Sequence, residues 1–445
     1  MKILVVGQGG REHAMAWALA RSAGVSRVFC APGNDGMARE AKGVQVSADD
    51  IAGLLSFAKK EGIDLTVVGP EAPLAQGLVD RFQAEGLGIL GPDRHASQLE
   101  SSKVFAKRLM AETGVPTASY SEFTVYSEAE AYVRRVGAPV VIKANGLCQG
   151  KGVTVAQTQS EAVEALSACL VEGRFGDAGK RVLVEERLEG EEATLMAISD
   201  GDHVLALAPS QDHKRVFDGD RGPNTGGMGA YSPAPIVSDE VIRISRDKVF
   251  LPVVRALKRQ GHPFVGFLYA GVMIKDHDVR VLEFNVRLGD PECQAILPRL
   301  ETDFADLLVA CHEGRLDSVE LRWKKKASVC VVISSQGYPG SFRKGDRIRG
   351  LDEVQRMSDV FLFHAGTKRD NGDFYTAGGR VLNIVGMGEG ILEARRRAYE
   401  ALAKIHFEGM HFRKDIASRA LNRQETGVPK WDSPKLGLSQ KGTVT

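Results

Sequence analysis

Glu283 and Asn285 stand two residues apart in Val281-Leu282-Glu283-Phe284-Asn285-Val286-Arg287-Leu288-Gly289-Asp290-Pro291-Glu292. On a strand, that spacing turns both toward one face while Leu282 and Phe284 turn to the other. A carboxylate beside a carboxamide offers hard oxygen donors, which hold Mg2+ when phosphates complete the shell. Arg287, two residues further on, is placed to meet negative charge on the same face. A half-solvated strand with plain alternation gives the same pattern, so the segment does not decide alone.

Three glycine-rich segments could work with it. Lys143-Ala144-Asn145-Gly146-Leu147-Cys148-Gln149-Gly150-Lys151-Gly152 lies between two predicted strands and lacks the G-x-x-x-x-G-K-[ST] spacing of a Walker loop. Its glycines, with Lys151 at the tip and Lys143 on the preceding strand, suit a flexible cover over triphosphate oxygens. A bare surface hairpin is the competing reading. Gly7-Gln8-Gly9-Gly10-Arg11-Glu12 follows a predicted strand, but Glu12 stands where a nicotinamide fingerprint needs glycine. A simple phosphate site at the helix N-terminus, helped by Arg11, therefore outranks a dinucleotide site. The longest segment, 212–231, reads as a loop without regular structure, kept from disorder by Val216, Phe217, Met228 and Tyr231. His13 and His213 could move protons, yet no Ser or Cys sits in a context that identifies a nucleophile.

Composition sets the frame for these segments. The chain has 445 residues, 58 basic and 57 acidic, with 43% apolar and 26% charged. These values fit about three globular domains and exclude a collagen, a coiled coil and a wholly disordered chain. A net charge of +1 gives no global pull toward nucleic acid or acidic membranes. The six cysteines contain no C-x-x-C pair, which argues against a disulfide scaffold or zinc knuckle and for a reducing compartment. No run approaches the ~20 apolar residues of a membrane span, and the first apolar run is too short for a signal peptide. A cytoplasmic protein is expected. Glycine, at 49 residues, exceeds the roughly 31 of a typical chain.

The elements that must position these residues follow from periodicity. Strands are predicted at 3–6, 27–30, 65–69 and 88–90, with helices at 11–21, 49–60 and 76–85, the pattern of a doubly wound parallel sheet. Its ligand edge carries 7–12, 31–34 and 69–73. The middle reads as α+β. It has a helix at 101–113, strands at 140–143, 153–156 and 182–185, a helix at 160–172, and a hairpin of 265–275 with 279–285. A third unit has strands at 328–333, 360–364 and 380–384 and a helix at 390–405.

At these residues the chain resembles the glycinamide ribonucleotide synthetase (phosphoribosylamine–glycine ligase) family of the ATP-grasp superfamily. The likeness runs from Met1 to about Leu421. Its most specific parts are Gly9-Gly10-Arg11-Glu12-His13, 211–231, Arg287-Leu288-Gly289-Asp290-Pro291-Glu292 and Thr376-Ala377-Gly378-Gly379-Arg380-Val381-Leu382.

The resemblance implies an N-terminal doubly wound domain at 1–103 and a central ATP-grasp module at 104–326, with a mobile lid at about 123–190. A small C-terminal α/β domain at 327–422 completes it. The tail at 423–445 is unlike the family, and its glycines, prolines and lack of periodicity predict a flexible end. It implies ligation of glycine to 5-phosphoribosylamine with ATP, through a glycyl phosphate. Lys103 and Lys143 would touch ATP phosphates under Gly146, Gly150, Lys151 and Gly152. Glu185, Glu186, Leu188 and Glu192 would receive adenine and ribose. Glu283 and Asn285 would hold Mg2+ or Mn2+. Arg287, Asp212, Lys214, Asn224 and Gly226 would orient the acyl phosphate and glycine. Gly9, Gly10, Arg11, Glu12, Asn34, Glu71, Asp290 and Pro291 would line the phosphoribosylamine side. A monomer is expected, with transient contacts to neighbouring purine-pathway enzymes and none to nucleic acid or membrane.

Overall fold

The computed structural model describes residues 1–148 and 151–425. Its first sheet runs Lys42–Gly43, Arg27–Pro32, Lys2–Gly7, Leu65–Val68 and Ile89–Leu90, every pair parallel. The unbroken apolar run of its central strand is buried on both sides. Leu4 and Val6 pack into one core with Phe29, Leu54 and Phe82, while Ile3 and Val5 pack into another with Met15 and Leu19. Helices on both faces are the consequence.

Two antiparallel sheets form the middle. One runs Val204–Ala206, Glu191–Asp200, Val265–Lys275, Asp278–Asn285. The other runs Tyr120–Phe123, Val182–Glu186, Val140–Ala144, Val153–Ala156, and with helices Tyr126–Val136 and Gln159–Leu170 it keeps a separate small core. A bulge leaves Leu282 as the extra residue, because Gly271 pairs with Glu283 but Val272 pairs with Val281. The predicted alternation therefore holds from Glu283 to Asn285 and breaks at Leu282.

The third sheet differs from expectation. Its order is Gln211–Asp212, Gly229–Ser232, Ala327–Ser334, Arg380–Gly388, Val360–His364. The first two strands come from the segment read as a loop without regular structure, and between them Arg215–Phe217 pairs with Arg221–Asn224. Strands of two to four residues rich in glycine and polar groups carry no periodicity to detect. Val216, Met228 and Tyr231 anchor the segment in full burial, whereas Phe217 is exposed. Helices Asp239–Ser245 and Leu251–Arg259 were also not foreseen. At the C-terminal side, Arg423 lies inside the helix Ser418–Glu425 and pairs with Glu191, so the tail expected from 423 starts too early. Residues 426–445 and the proposed Gly150 fall outside the described residues. Among the described residues no helix is long and apolar enough to cross a membrane.

Helix Ile391–Leu402 lies so close to strand Arg380–Gly388 that a Cβ at Gly386 would stand 2.3 Å from the Ala394 carbonyl oxygen. Gly24, by contrast, has nothing within 4 Å of a Cβ position. Gly386→Ala is expected to destabilise the chain by about 1–3 kcal/mol, seen as a lower thermal midpoint. Gly24→Ala should leave that midpoint within a degree or so of the parent's.

Candidate active site

Arg287 follows the last strand of the middle sheet and reaches three segments at once. Its Nη2 donates to Glu100 Oε1 at 2.8 Å and to Asn285 Oδ1 at 3.1 Å, and its Nε donates to Glu71 Oε2 at 3.3 Å. Glu71 opens the short helix Glu71–Ala75 just past the end of strand Leu65–Val68. Glu100 lies in helix Gln98–Ser101, and its other oxygen accepts the Val286 N–H at 2.8 Å. One guanidinium cannot neutralise both the buried Glu100 and the half-buried Glu71, and the two respond differently. Burial would raise Glu71, but Arg287 and Arg11 hold it below its usual value. At Glu100 burial prevails over Arg287, aided by the charge of Glu71, and the carboxyl is pushed up to about 7. Burial alone would lower Arg287, and the two carboxylates instead hold its proton firmly.

Next to this hub lies a cluster of lysines and carboxylates. Lys214 Nζ is 2.5 Å from Glu192 Oε1 and 3.2 Å from Glu283 Oε1. Lys214 chiefly, with Lys143 and Lys103, overrides burial and holds Glu283 at about 2. Against the pull of burial, Glu192 and Glu283 raise Lys214. Lys143 donates to the Leu282 carbonyl at 2.9 Å, the oxygen that the bulge sets out of register, and forms an ion pair with Glu185 Oε2 at 2.9 Å. Lys107 holds the same Glu185 oxygen at 3.2 Å, while burial lowers Lys107 to about 8. Glu185 Oε1 is buried with no hydrogen-bond partner among the described residues. Lys103 Nζ donates to the Gly146 carbonyl at 3.1 Å, tying helix Lys103–Thr113 to the glycine segment, and burial lowers it.

The donor set here suits a hard cation. Glu283 is ionised at neutral pH, and Asn285 adds a carboxamide oxygen. Among the described residues no group of three or more His, Cys, Asp or Glu side chains could hold a metal without outside help. These two residues would hold Mg2+ or Mn2+ only with ligands brought by a phosphate-bearing molecule.

A third group packs Asp212 and the 226–229 segment against Asp290-Pro291. Arg380 donates to the Gly226 and Asp290 carbonyls, each at 2.8 Å, and to Asp290 Oδ2 at 3.0 Å. A Cβ on Gly227, whose φ is +109°, would fall 2.4 Å from Pro291 Cδ and 2.9 Å from Asp212 Oδ1. Tyr338 Oη accepts the Gly226 N–H at 3.0 Å. Burial and Glu292 raise Asp212, and Glu292 itself accepts from Thr194 at 3.0 Å. Asn224 ends the strand Arg221–Asn224, two residues before Gly226.

The N-terminal glycine segment is tied to its own helix and to the segment after Arg287. Glu12 Oε2 accepts the Gly9 N–H at 2.6 Å, and its Oε1 accepts Arg11 Nε at 2.6 Å. Arg11 also donates to the Leu288 carbonyl at 3.2 Å. The positive end of helix Gly10–Leu19 is thus met in this structure by a carboxylate of the chain itself. A Cβ on Gly10 would meet Asn383 and Gln294 of the third sheet's side, so this glycine serves packing between parts of the chain. Asn34 donates to the Gln8 and His364 carbonyls at 2.7 and 3.1 Å.

The proposed residues are not all alike in placement. Lys103, Lys143, Glu192, Lys214, Glu283 and Asn285 come together, and Arg287 with Glu71 adjoins them. Glu185 directs its carboxylate to Lys107 and Lys143, while Glu186 accepts the Ser119 N–H at 2.9 Å. Lys151 is exposed, and Leu188 lies on the connection between Val182–Glu186 and Glu191–Asp200. Reasoning from sequence missed Glu100, Lys107 and Arg380 as members of the site. Arg380 stood in a segment already singled out, but Glu100 and Lys107 sit in ordinary helical surroundings that carry no signal.

The middle of the chain, residues 101–293, matches the phosphoribosylglycinamide synthetase ATP-grasp (A) domain. This is an ATP-grasp enzyme, and its class uses ATP. Residues 1–100 match the N domain of the same synthetase and residues 328–419 its C domain. The phosphoribosylamine–glycine ligase of Neisseria meningitidis serogroup A is 51% identical over 425 residues, covering 95% of this chain and 100% of the relative. The crystal structure of phosphoribosylamine–glycine ligase from Thermotoga maritima superposes with a TM-score of 0.82 at 33% identity, covering 94% of this chain and 100% of that one. The biotin carboxylase domain of Hydrogenobacter thermophilus 2-oxoglutarate carboxylase shares the fold alone, with a TM-score of 0.71 at 18% identity and coverage of 97% and 99%. The chain belongs to the phosphoribosylglycinamide synthetase family.

Glu100 makes stability depend on pH. Its carboxyl releases a proton near 4.5 when unfolded and at about 7 when folded. The folded chain therefore holds an extra proton between those values, and stability falls as pH rises through that window. Glu100→Gln removes this term. Its deficit relative to the parent, measured by denaturant midpoints from pH 4.5 to 8, should shrink as pH rises. A deficit that stays constant would contradict the assignment.

Proposed function

We propose that the chain joins glycine to 5-phosphoribosylamine with cleavage of ATP, giving glycinamide ribonucleotide, ADP and phosphate, the second step of de novo purine synthesis. The observation that carries this reading is the meeting of the half-buried side chains of Glu283, Lys214 and Arg287 where three sheets converge, with no activated nucleophile among them. Such a site suits a reaction whose barrier is lowered by positioning and charge neutralisation.

The glycine carboxylate oxygen attacks the γ-phosphorus, the bond to the bridging oxygen breaks, and ADP leaves. The amine nitrogen of phosphoribosylamine then attacks the glycyl carbonyl carbon. The carbon–oxygen bond to the phosphoryl group breaks, phosphate leaves, and the nitrogen gives up a proton. Lys103 and Lys143 neutralise ATP phosphates, with Gly146, Lys151 and Gly152 closing above them. The unpaired Glu185 oxygen is available to an amino donor such as that of adenine. Glu186 and Leu188 flank the base, and Glu192 faces the ribose. A divalent cation held by Glu283 and Asn285 would supply charge neutralisation between phosphates. Arg287, Lys214, Asp212, Asn224 and Gly226 orient the glycine carboxylate and its phosphate. Gly9, Arg11, Glu12, Asn34 and Glu71 receive phosphoribosylamine, with Asp290 and Pro291 closing that side.

The test is phosphate release with ATP, glycine and phosphoribosylamine, each omitted in turn. Release should require all three, and Glu283→Ala should lower kcat by about 10²–10³. Release without glycine, or none with the full mixture, would overturn the reading. Chelation of divalent ions should abolish release, and Mg2+ or Mn2+ should restore it.

A further inference from the structure

The residues that approach the proposed acyl phosphate stand on a hairpin, and that hairpin is gripped from outside. Strands Arg215–Phe217 and Arg221–Asn224 leave from Lys214 and return to Gly226. The base is closed by Thr225, whose N–H and hydroxyl donate to the Lys214 carbonyl at 2.8 and 2.9 Å. The far end has little apolar anchorage, since Phe217 is exposed and the tip is Asp218-Gly219-Asp220. A polar hairpin of this kind needs something else to fix it.

The chain beyond the third sheet supplies the grip. Arg413, only 1% exposed, makes a two-point contact with Asp415 at 2.7 Å each and donates to the Arg215 carbonyl and Asp220 Oδ1 at 3.1 and 2.9 Å. Arg419 takes the other Asp220 oxygen at 2.5 Å, and Asp415 accepts the Gly219 N–H at 2.8 Å. One turn further, Arg423 reaches Glu191 at 2.5 Å, immediately before the Glu192 that pairs with Lys214. The same segment thus holds Lys214 from two sides, through the hairpin and through its carboxylate partner's strand.

We infer that Arg413 and Arg423 are positioning residues for Lys214 and the 224–227 backbone, making the C-terminal segment part of the active site's construction. The inference deepens the proposed reaction and rests on it for its kinetic readout. A bidentate guanidinium fixes direction as well as charge, so lysine replaces Arg413 poorly. At Arg423 both contacts with Glu191 go to one carboxylate oxygen, a charge contact that lysine can also make, so lysine should replace it well.

The experiment compares Arg413→Gln, Arg423→Ala and Arg423→Lys with the parent, measuring kcat, the three KM values, thermal midpoint and amide hydrogen exchange. Expected are a kcat lowered about tenfold to a hundredfold in Arg413→Gln and a smaller loss in Arg423→Ala. Glycine KM should rise, ATP KM should stay within about twofold, and Arg423→Lys should recover the activity. Exchange over 213–227 should quicken in Arg413→Gln without change over the strand Leu65–Val68. Unchanged kinetics in both arginine variants would overturn the inference, as would KM values that all rise together with a lowered midpoint. If the parent fails to turn over glycine and phosphoribosylamine, the reaction falls instead. Exchange over 213–227 then decides the positioning claim, and an unchanged rate there refutes it.

Discussion

The Arg287 guanidinium is the point at which the three parts of the site become one. It leaves the end of the strand that carries Glu283 and Asn285, and its ion pairs run to Glu71 at the first sheet's ligand edge and to Glu100 at the end of the N-terminal region. Two carboxylates on one cation leave the group short of positive charge, and Glu100, the buried one, answers by holding its proton to about 7. The contact therefore fixes geometry more than it stabilises the fold. Moving Arg287 would separate the first sheet's carboxyl edge from the Glu283 strand, because among the described residues no other side chain pairs with both Glu71 and Glu100.

Beside that hub the chemistry is arranged by charge alone. Three lysines keep Glu283 ionised at any pH near neutral, and two carboxylates keep Lys214 protonated. A group with its charge fixed on each side is suited to hold anions and a cation in place while they exchange a phosphoryl group. It is poorly suited to proton transfer, which calls for a group poised near the working pH. The six thiols are no better placed as nucleophiles, since five are buried and burial raises Cys30 and Cys293 well above their usual value.

Local patterns in the sequence were enough for four strands of the first sheet, all but the two-residue edge strand Lys42–Gly43, and for the hairpin of 265–285, since a β-branched run beside a glycine turn and two runs about a tight turn are signals within one segment. The pairing of Glu283 with Asn285 was legible for the same reason. What stayed hidden depends on partners far along the chain. Glu100 acquires its role from Arg287, 187 residues away, and Arg413 acquires its role from Asp220, 193 residues away. The 212–231 segment was misread because its strands are short and complete a sheet begun elsewhere. Part of the glycine abundance serves close packing between elements, since Gly10 faces Asn383 and Gly386 faces a helix.

A site that positions charges without a protein nucleophile makes one demand on the atoms. The oxygen that bridges glycine and phosphorus must leave with the phosphate. Glycine labelled with ¹⁸O in both carboxylate oxygens, turned over with ATP and phosphoribosylamine and followed by mass analysis of the products, tests this directly. The account predicts phosphate carrying one labelled oxygen and a ligated product retaining the other. Unlabelled phosphate formed in step with product would contradict it.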